Sequence, residues 1–173
     1  VAQFDDVYLC DGNSTDRTLE IARERGIRVE KQFDSDAANQ SVKDFGVIFN
    51  RTMSFAKHDW YLRIDVDEVI TPELAEELRS IAANPNPDAR IYKIPRHYIY
   101  KGEVIKDSIT YPNNQVRFFR RSAVKGFEKI AHERLVPNDG EKVAVTKHPM
   151  LVHLLDEVFT DKRIERALEW DRL

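Results

Sequence analysis

Cysteine is almost absent. Cys10 is the only one among 173 residues, so neither an internal disulfide nor a multi-cysteine zinc cluster can form. No apolar run approaches the roughly 18 residues that a bilayer span requires. No signal-peptide pattern opens the chain either, so a reducing, cytoplasmic setting is expected. An excess of one charge is lacking too: 27 Lys and Arg stand against 30 Asp and Glu, a net charge of −3. That balance argues against a dedicated nucleic-acid binder, whose footprint is basic. There is no G-x-G-x-x-G and no Walker A sequence, which excludes phosphate binding by those loops. The acidic run from Asp11 is no EF-hand, because Asp16 stands where the loop needs Gly and Ala22 where it needs Glu. Repeats and low-complexity tracts are missing.

What is present suits one soluble domain of 20.2 kDa, with 42% hydrophobic, 33% charged and 10% aromatic residues. Asp6–Cys10 is a short apolar run closed by Asp11-Gly12-Asn13-Ser14, a strand entering a turn. Ser14 or Thr15 is placed to cap the next helix, Gly26 to stop it, and Ile27–Val29 to resume as a strand. Strand, helix, strand is the pattern of a parallel sheet. A second helix is expected within Ala38–Lys57, with Val42, Phe45, Phe49, Thr52 and Ala56 along one face. Trp60–Ile64 reads as a third strand. Thr71-Pro72-Glu73 then starts a helix with a Leu74, Leu78, Ile81 stripe, ended by Asn84-Pro85-Asn86-Pro87. The second half turns to strands: Ile91–Tyr100, a Lys101-Gly102 turn returning through Glu103–Lys106, and Gln115–Arg120. A last helix starts near Thr160, with Phe159 and Ile164 spaced as a hydrophobic staple.

Charge is segregated along this layout. Asp59–Glu77 holds seven acids and one base, Arg63, whereas Gln115–Arg134 holds six bases and two acids. Such a pairing suits a divalent cation and a phosphorylated ligand held together, as it also suits two solvated faces. Within the acidic segment, Asp65-Val66-Asp67-Glu68 follows a strand. In extended chain, residues two apart point to one side, so Asp65 and Asp67 are candidate ligands of one hard cation. Sixteen Asp in the chain make one or two D-x-D triplets an expected chance yield, and Asp34-Ser35-Asp36 is a second. Position at a strand end favours the first, since open α/β folds bind ligands there. Asp11 at the other strand end is a candidate nucleotide contact, set against a plain polar turn. Glu133 beside His132 follows the basic segment and is a candidate general base. His153 sits in the apolar run Leu151–Leu155, where a lone histidine is more often a core residue than a ligand.

Taken in order, these stretches resemble family 2 glycosyltransferases of the GT-A fold. Val7–Ala22 is similar to that family's "vvDdgStDgT…ia" stretch, and Trp60–Leu74 to its "W.l.lDaDE…tpeL" block. Pro112–Arg121 and His132–Leu135 resemble the "yp..q.RlFrr…HE.l" region of the lipopolysaccharide-core-type branch. The resemblance covers most of residues 5–155. The family begins with a further strand and a "tyNe"-like turn that have no counterpart here, so the domain is expected to be truncated at its N-terminus. The Q-x-x-R-W signature of processive synthases is also absent, which favours single-sugar transfer.

The resemblance implies a GT-A-like (Rossmann-like) α/β fold: a mostly parallel sheet flanked by helices, with antiparallel strands in the second half. It implies one domain over 1–173, with a nucleotide-sugar half at 1–83 and an acceptor and catalytic-base half at 90–173. The implied activity is metal-dependent, inverting transfer of one sugar from a nucleotide-sugar donor, a UDP-sugar, to a glycan or glycolipid acceptor, with peripheral membrane association at the inner face. Asp11 would contact the nucleotide. Asp65 and Asp67 would hold Mn2+ or Mg2+, with His153 completing the shell. Glu133 would be the base, with His132 contacting substrate and orienting it. Arg117, Arg120 or Arg121 would neutralise the diphosphate. The rival readings are a sugar-phosphate nucleotidyltransferase and an incomplete, non-catalytic nucleotide-sugar-binding domain.

Overall fold

The computed structural model describes residues 4–105, 113–128 and 134–154. Its elements in chain order are β1 (Tyr8–Asp11), α1 (Thr18–Glu24), β2 (Arg28–Lys31), α2 (Phe45–Ser54), β3 (Trp60–Leu62), β4 (Glu68–Ile70) and α3 (Pro72–Ala83). There follow β5 (Ile91–Tyr100), β6 (Glu103–Val104), β7 (Asn113–Arg120), β8 (Val124–Glu128), β9 (Arg134–Pro137), β10 (Val143–Val145) and β11 (Met150–His153). Packing divides the chain into two units, Val1–Asp59 with Gly126–Val136 and Trp60–Lys125 with Pro137–Leu173. The strand leading to Asp65 and Asp67 belongs to the second unit.

In the first unit β1 and β2 pair in parallel, Leu9 opposite Val29, with α1 crossing between them. This is the strand–helix–strand unit expected from the sequence. The capping differs. Ser14 and Thr15 lie too early, α1 opens at Thr18, and its N-cap Arg17 makes no side-chain cap bond. Asp16 takes that work instead, accepting a hydrogen bond from Thr18 N at 2.9 Å. The second helix is shorter than its apolar spacing suggested. Asp44 caps it by accepting from Val47 N at 3.0 Å, which sets the start at Phe45. Phe49 then packs edge-on against Phe127, ring centroids 5.3 Å apart.

The second unit is a seven-stranded sheet ordered β3-β7-β5-β11-β4, with β6 and β10 also paired to β5. Strands β3 and β5 each run antiparallel to β7, β11 and β10 run parallel to β5, and β4 runs antiparallel to β11. The expected α/β class is borne out, with a smaller parallel share than expected because hairpins and long returns build this sheet. One of those hairpins is the predicted Lys101-Gly102 turn. Both residues take positive φ, 50° and 84°, the geometry that matches the twist of a two-residue hairpin.

α3 starts as predicted: Thr71 Oγ1 accepts from Leu74 N at 3.1 Å, with Pro72 in the first turn. Its Leu74 and Leu78 join Tyr92, Ile94, Phe118 and Met150 in the main core. Trp60 stacks on Phe118 with centroids 4.5 Å apart. Strands β4 and β10 had no sequence signal, since three residues carry too little periodicity to read. The expected Thr160 helix and its Phe159–Ile164 staple lie outside the described residues.

Candidate functional site: an acidic turn clamped by buried arginines

Strand β3 ends at Leu62, two residues earlier than expected, and the chain turns before β4 begins. The turn is Asp65-Val66-Asp67-Glu68, closed by Glu68 N donating to Asp65 O at 3.0 Å. Asp65 and Asp67 therefore stand on a tight turn, not in the extended chain that the alternation argument assumed. Val66 and Asp67 are exposed at its tip. The Asp67 carboxylate makes no hydrogen bond or ion pair among the described residues.

Glu68 holds the turn from beneath. Its side chain is fully buried, and its Oε2 accepts from Asp65 N at 2.9 Å. Backbone and side chain thus lock the same two residues in both directions. The other oxygen, Oε1, accepts from Arg117 Nη2 at 2.7 Å and lies 2.9 Å from Arg96 Nε. Arg117 Nη2 also donates to Asp65 Oδ2. Two carboxylates and two guanidinium groups are thus paired in charge, while Arg96 Nε and Arg117 Nε and Nη1 are buried without a hydrogen-bond partner among the described residues.

This places the predicted residues as follows. Asp65 and Asp67 share the turn. His153 is nearby in the backbone, its N donating to Asp67 O at 2.9 Å at the end of β11, and its side chain is exposed, not buried in the core. Arg117 is 1% exposed, and its Nη2 serves both Asp65 and Glu68. In this structure it braces the acidic turn through that one nitrogen. Arg120 lies over the Trp60 ring, its Cζ 5.1 Å from the centroid, and Arg121 opens a short 3₁₀ turn. Glu133 and His132 lie outside the described residues. The sequence reading missed Glu68 and Arg96 as partners. The signal was an arginine inside the apolar run Val116-Arg117-Phe118-Phe119, since a charge in such a strand needs an opposite charge close by.

A small hard cation takes one or two protein carboxylates and fills its remaining positions with phosphate oxygens and water. The exposed Asp67 carboxylate and the part of Asp65 left open to solvent, 42% of its side chain, fit that requirement. Among the described residues no three His, Cys, Asp or Glu side chains converge.

In the first unit, Asp11 ends β1 and is 7% exposed. Its Oδ2 accepts from Ser14 N at 2.9 Å and its Oδ1 from Ser14 Oγ at 2.5 Å. Asn13 beside it takes a positive φ of 63° and donates through Nδ2 to Ser35 O at 2.6 Å and Ala37 O at 2.8 Å. The turn after β1 is thereby tied to the chain after β2.

A mixed α/β chain with acidic turns just past strand ends has the layout of a GT-A-like glycosyltransferase domain. Residues 1–135 match the sequence model described as Glycosyl transferase family 2, and the chain belongs to that family. It is 27% identical over 139 residues to an uncharacterized glycosyltransferase of Rickettsia typhi, covering 78% of this chain and 44% of that protein. A second such protein, from Rickettsia prowazekii, is 31% identical over 101 residues, 57% of this chain and 32% of its own length. A TPR repeat-containing protein of Synechococcus elongatus is 30% identical over 131 residues, 76% of this chain and 29% of that one. The chain spans less than half the length of these curated relatives. Among the described residues no helix is long and apolar enough to cross a membrane.

Proposed function

We propose that this chain carries a metal-dependent, inverting transfer of one sugar from a UDP-sugar to a glycan or glycolipid acceptor, in the cytoplasm at the inner face of a membrane. The observation that supports it best is the turn at Asp65–Glu68: one carboxylate pinned by a buried arginine and the next, Asp67, exposed to solvent and unpaired among the described residues. Asp67, with the open side of Asp65, holds Mn2+ or Mg2+, and His153 is the further ligand to test. When bound, the cation supplies positive charge for the departing diphosphate.

The remaining work falls to side chains. Asp11, already oriented by Ser14, contacts the nucleotide. Glu133 takes the proton of the acceptor hydroxyl, a poor nucleophile at neutral pH without a positioned base. His132 contacts substrate beside it. Arg117 orients Asp65, and Arg117, Arg120 or Arg121 neutralises the diphosphate.

Calorimetric titration with UDP, with and without Mn2+, tests the donor reading, and Asp67→Ala is expected to remove the Mn2+-dependent part of the affinity while leaving the thermal transition in place. Unchanged affinity in that variant removes the metal assignment. A turnover assay then separates enzyme from non-catalytic binder. Glu133→Gln is expected to keep donor affinity and lower turnover by ~10²–10⁴-fold; parent-like turnover on the true acceptor would place the base elsewhere.

A further inference from the structure

The buried cluster beneath the turn has a feature that plain stabilisation does not account for. Replacing a buried ion pair by apolar side chains of similar volume is often neutral or stabilising, so such clusters are weak evidence for stability. Here Glu68 is fully buried with Arg117, and each oxygen of its carboxylate has a separate task. Oε2 accepts from the backbone N of Asp65, and Oε1 accepts from Arg117 Nη2 and is ion-paired with Arg96. Arg117 reaches across from β7 to bind Asp65 with the same nitrogen that it gives Glu68. Each hydrogen bond of the cluster ends on Asp65 or Glu68, the first and last residues of the turn. Strand β4, only three residues long, begins at Glu68 and pairs Glu68 with Val152, while the next bond along, from His153 N, goes to Asp67 O. The turn is held at one end by the sheet and at the other by the Glu68 carboxylate.

We propose that Glu68 is the positioning residue of this site: it fixes the Asp65–Asp67 turn in the one conformation that offers both carboxylates to a divalent cation, with Arg117 and Arg96 as the counter-charges that keep it there. This rests on the proposed metal-dependent donor binding. Groups that orient a metal's ligands from behind characteristically change metal affinity by about 10- to 100-fold when altered. Glu68→Gln keeps the shape but removes the charge that both arginines use. Glu68→Asp keeps the charge, and, one methylene shorter, cannot span Asp65 N and Arg117 together; it guards against a glutamine variant that fails to fold.

The test measures UDP affinity of the full chain by calorimetry with and without Mn2+, together with Mn2+ binding by the loss of its free-ion paramagnetic resonance signal. Both Glu68 variants are expected to lose about 10- to 100-fold in Mn2+-dependent affinity, with Mn2+-independent UDP binding unchanged. Leu78→Ala, in the core of the same unit, is expected to lower the thermal midpoint and leave the Mn2+ dependence intact. Either folded Glu68 variant binding Mn2+ and UDP like the parent, or Leu78→Ala losing as much as they do, overturns the proposal. If the parent responds to Mn2+ and Asp67→Ala does not, such a result removes only the role of Glu68. A parent with no response to Mn2+ removes the metal reading and this inference with it.

Discussion

Asp11 ends a strand of the first unit and Asp65 follows a strand of the second, and their carboxylates are held in opposite ways. Asp11 is satisfied by Ser14, three positions along the chain. Asp65 is held by Arg117, 52 positions away, on a strand that reaches it only after the sheet has formed. The same contrast runs through the units. All of the largest fully buried side chains, from Leu74 to Val152, lie in the second. The first relies more on polar ties, among them Arg28 to Asp6 at 3.0 Å and the two bonds that link Asn50 to the backbone of Phe127. A site built on local bonds survives modest loosening of its unit, whereas one built on a distant arginine depends on the whole sheet.

The sharpest way to break that comparison is Arg117→Met. It leaves Asp65 without its cation and Glu68 with Arg96 alone, and breaking a buried pair in this manner costs about 3–5 kcal/mol. Ser14→Ala, the local counterpart, is expected to cost about 1 kcal/mol. Denaturant unfolding of both variants checks the ranking, and equal losses would dissolve the distinction between the two aspartates.

A middle-sized effect is expected within the first unit at Gly126. Its φ of 126° is a conformation that side chains rarely adopt, and a Cβ there would meet Asn50 Oδ1 at 2.7 Å. That oxygen accepts from Phe127 N, also at 2.7 Å. Gly126→Ala should therefore cost about 1–3 kcal/mol. A parent-like unfolding midpoint would show that the Asn50 clamp is not what holds β8 to α2.

The smallest effect is a pH dependence. Burial pushes the Asp6 carboxyl upward, but the hydrogen bond from Lys57 N and the Arg28 guanidinium outweigh it and hold the group below the ordinary carboxylate range. A lowered folded-state pKa gives stability that is complete above the unfolded value, about 3.9, and is lost as pH falls through the folded one. Asp6→Asn should thus destabilise the chain at pH 7 and narrow its gap to the parent as the medium is acidified below about pH 4. A gap that stays constant with pH would remove the charge from the account.

Much of this was legible in the sequence because the bonds concerned are short in sequence. Thr71-Pro72 announces α3, Lys101-Gly102 announces a hairpin, and the Asp11–Ser14 turn closes on itself. The acidic run at Asp65–Glu68 was legible as composition, and its geometry was not. Alternation predicted an extended D-x-D pair, but the hydrogen bonds from Glu68 back to Asp65 fold the same four residues into a turn. The cap of α1 moved from Ser14 to Asp16 for a related reason, since Ser14 is already committed to Asp11.

The sequence by itself determined the local pieces: the strand–helix–strand opening, the caps of α3 and the family to which these motifs belong. Tertiary structure alone decided which charges meet. The sequence offered Arg117 as one of three cations for a diphosphate and Glu68 only as the last residue of the acidic run. Only pairing of β7 with β5 and β3, and of β4 with β11, brings Arg117, Arg96 and Glu68 beneath the turn. Once there, a buried carboxylate and a buried guanidinium must face each other, because neither is tolerated alone away from water.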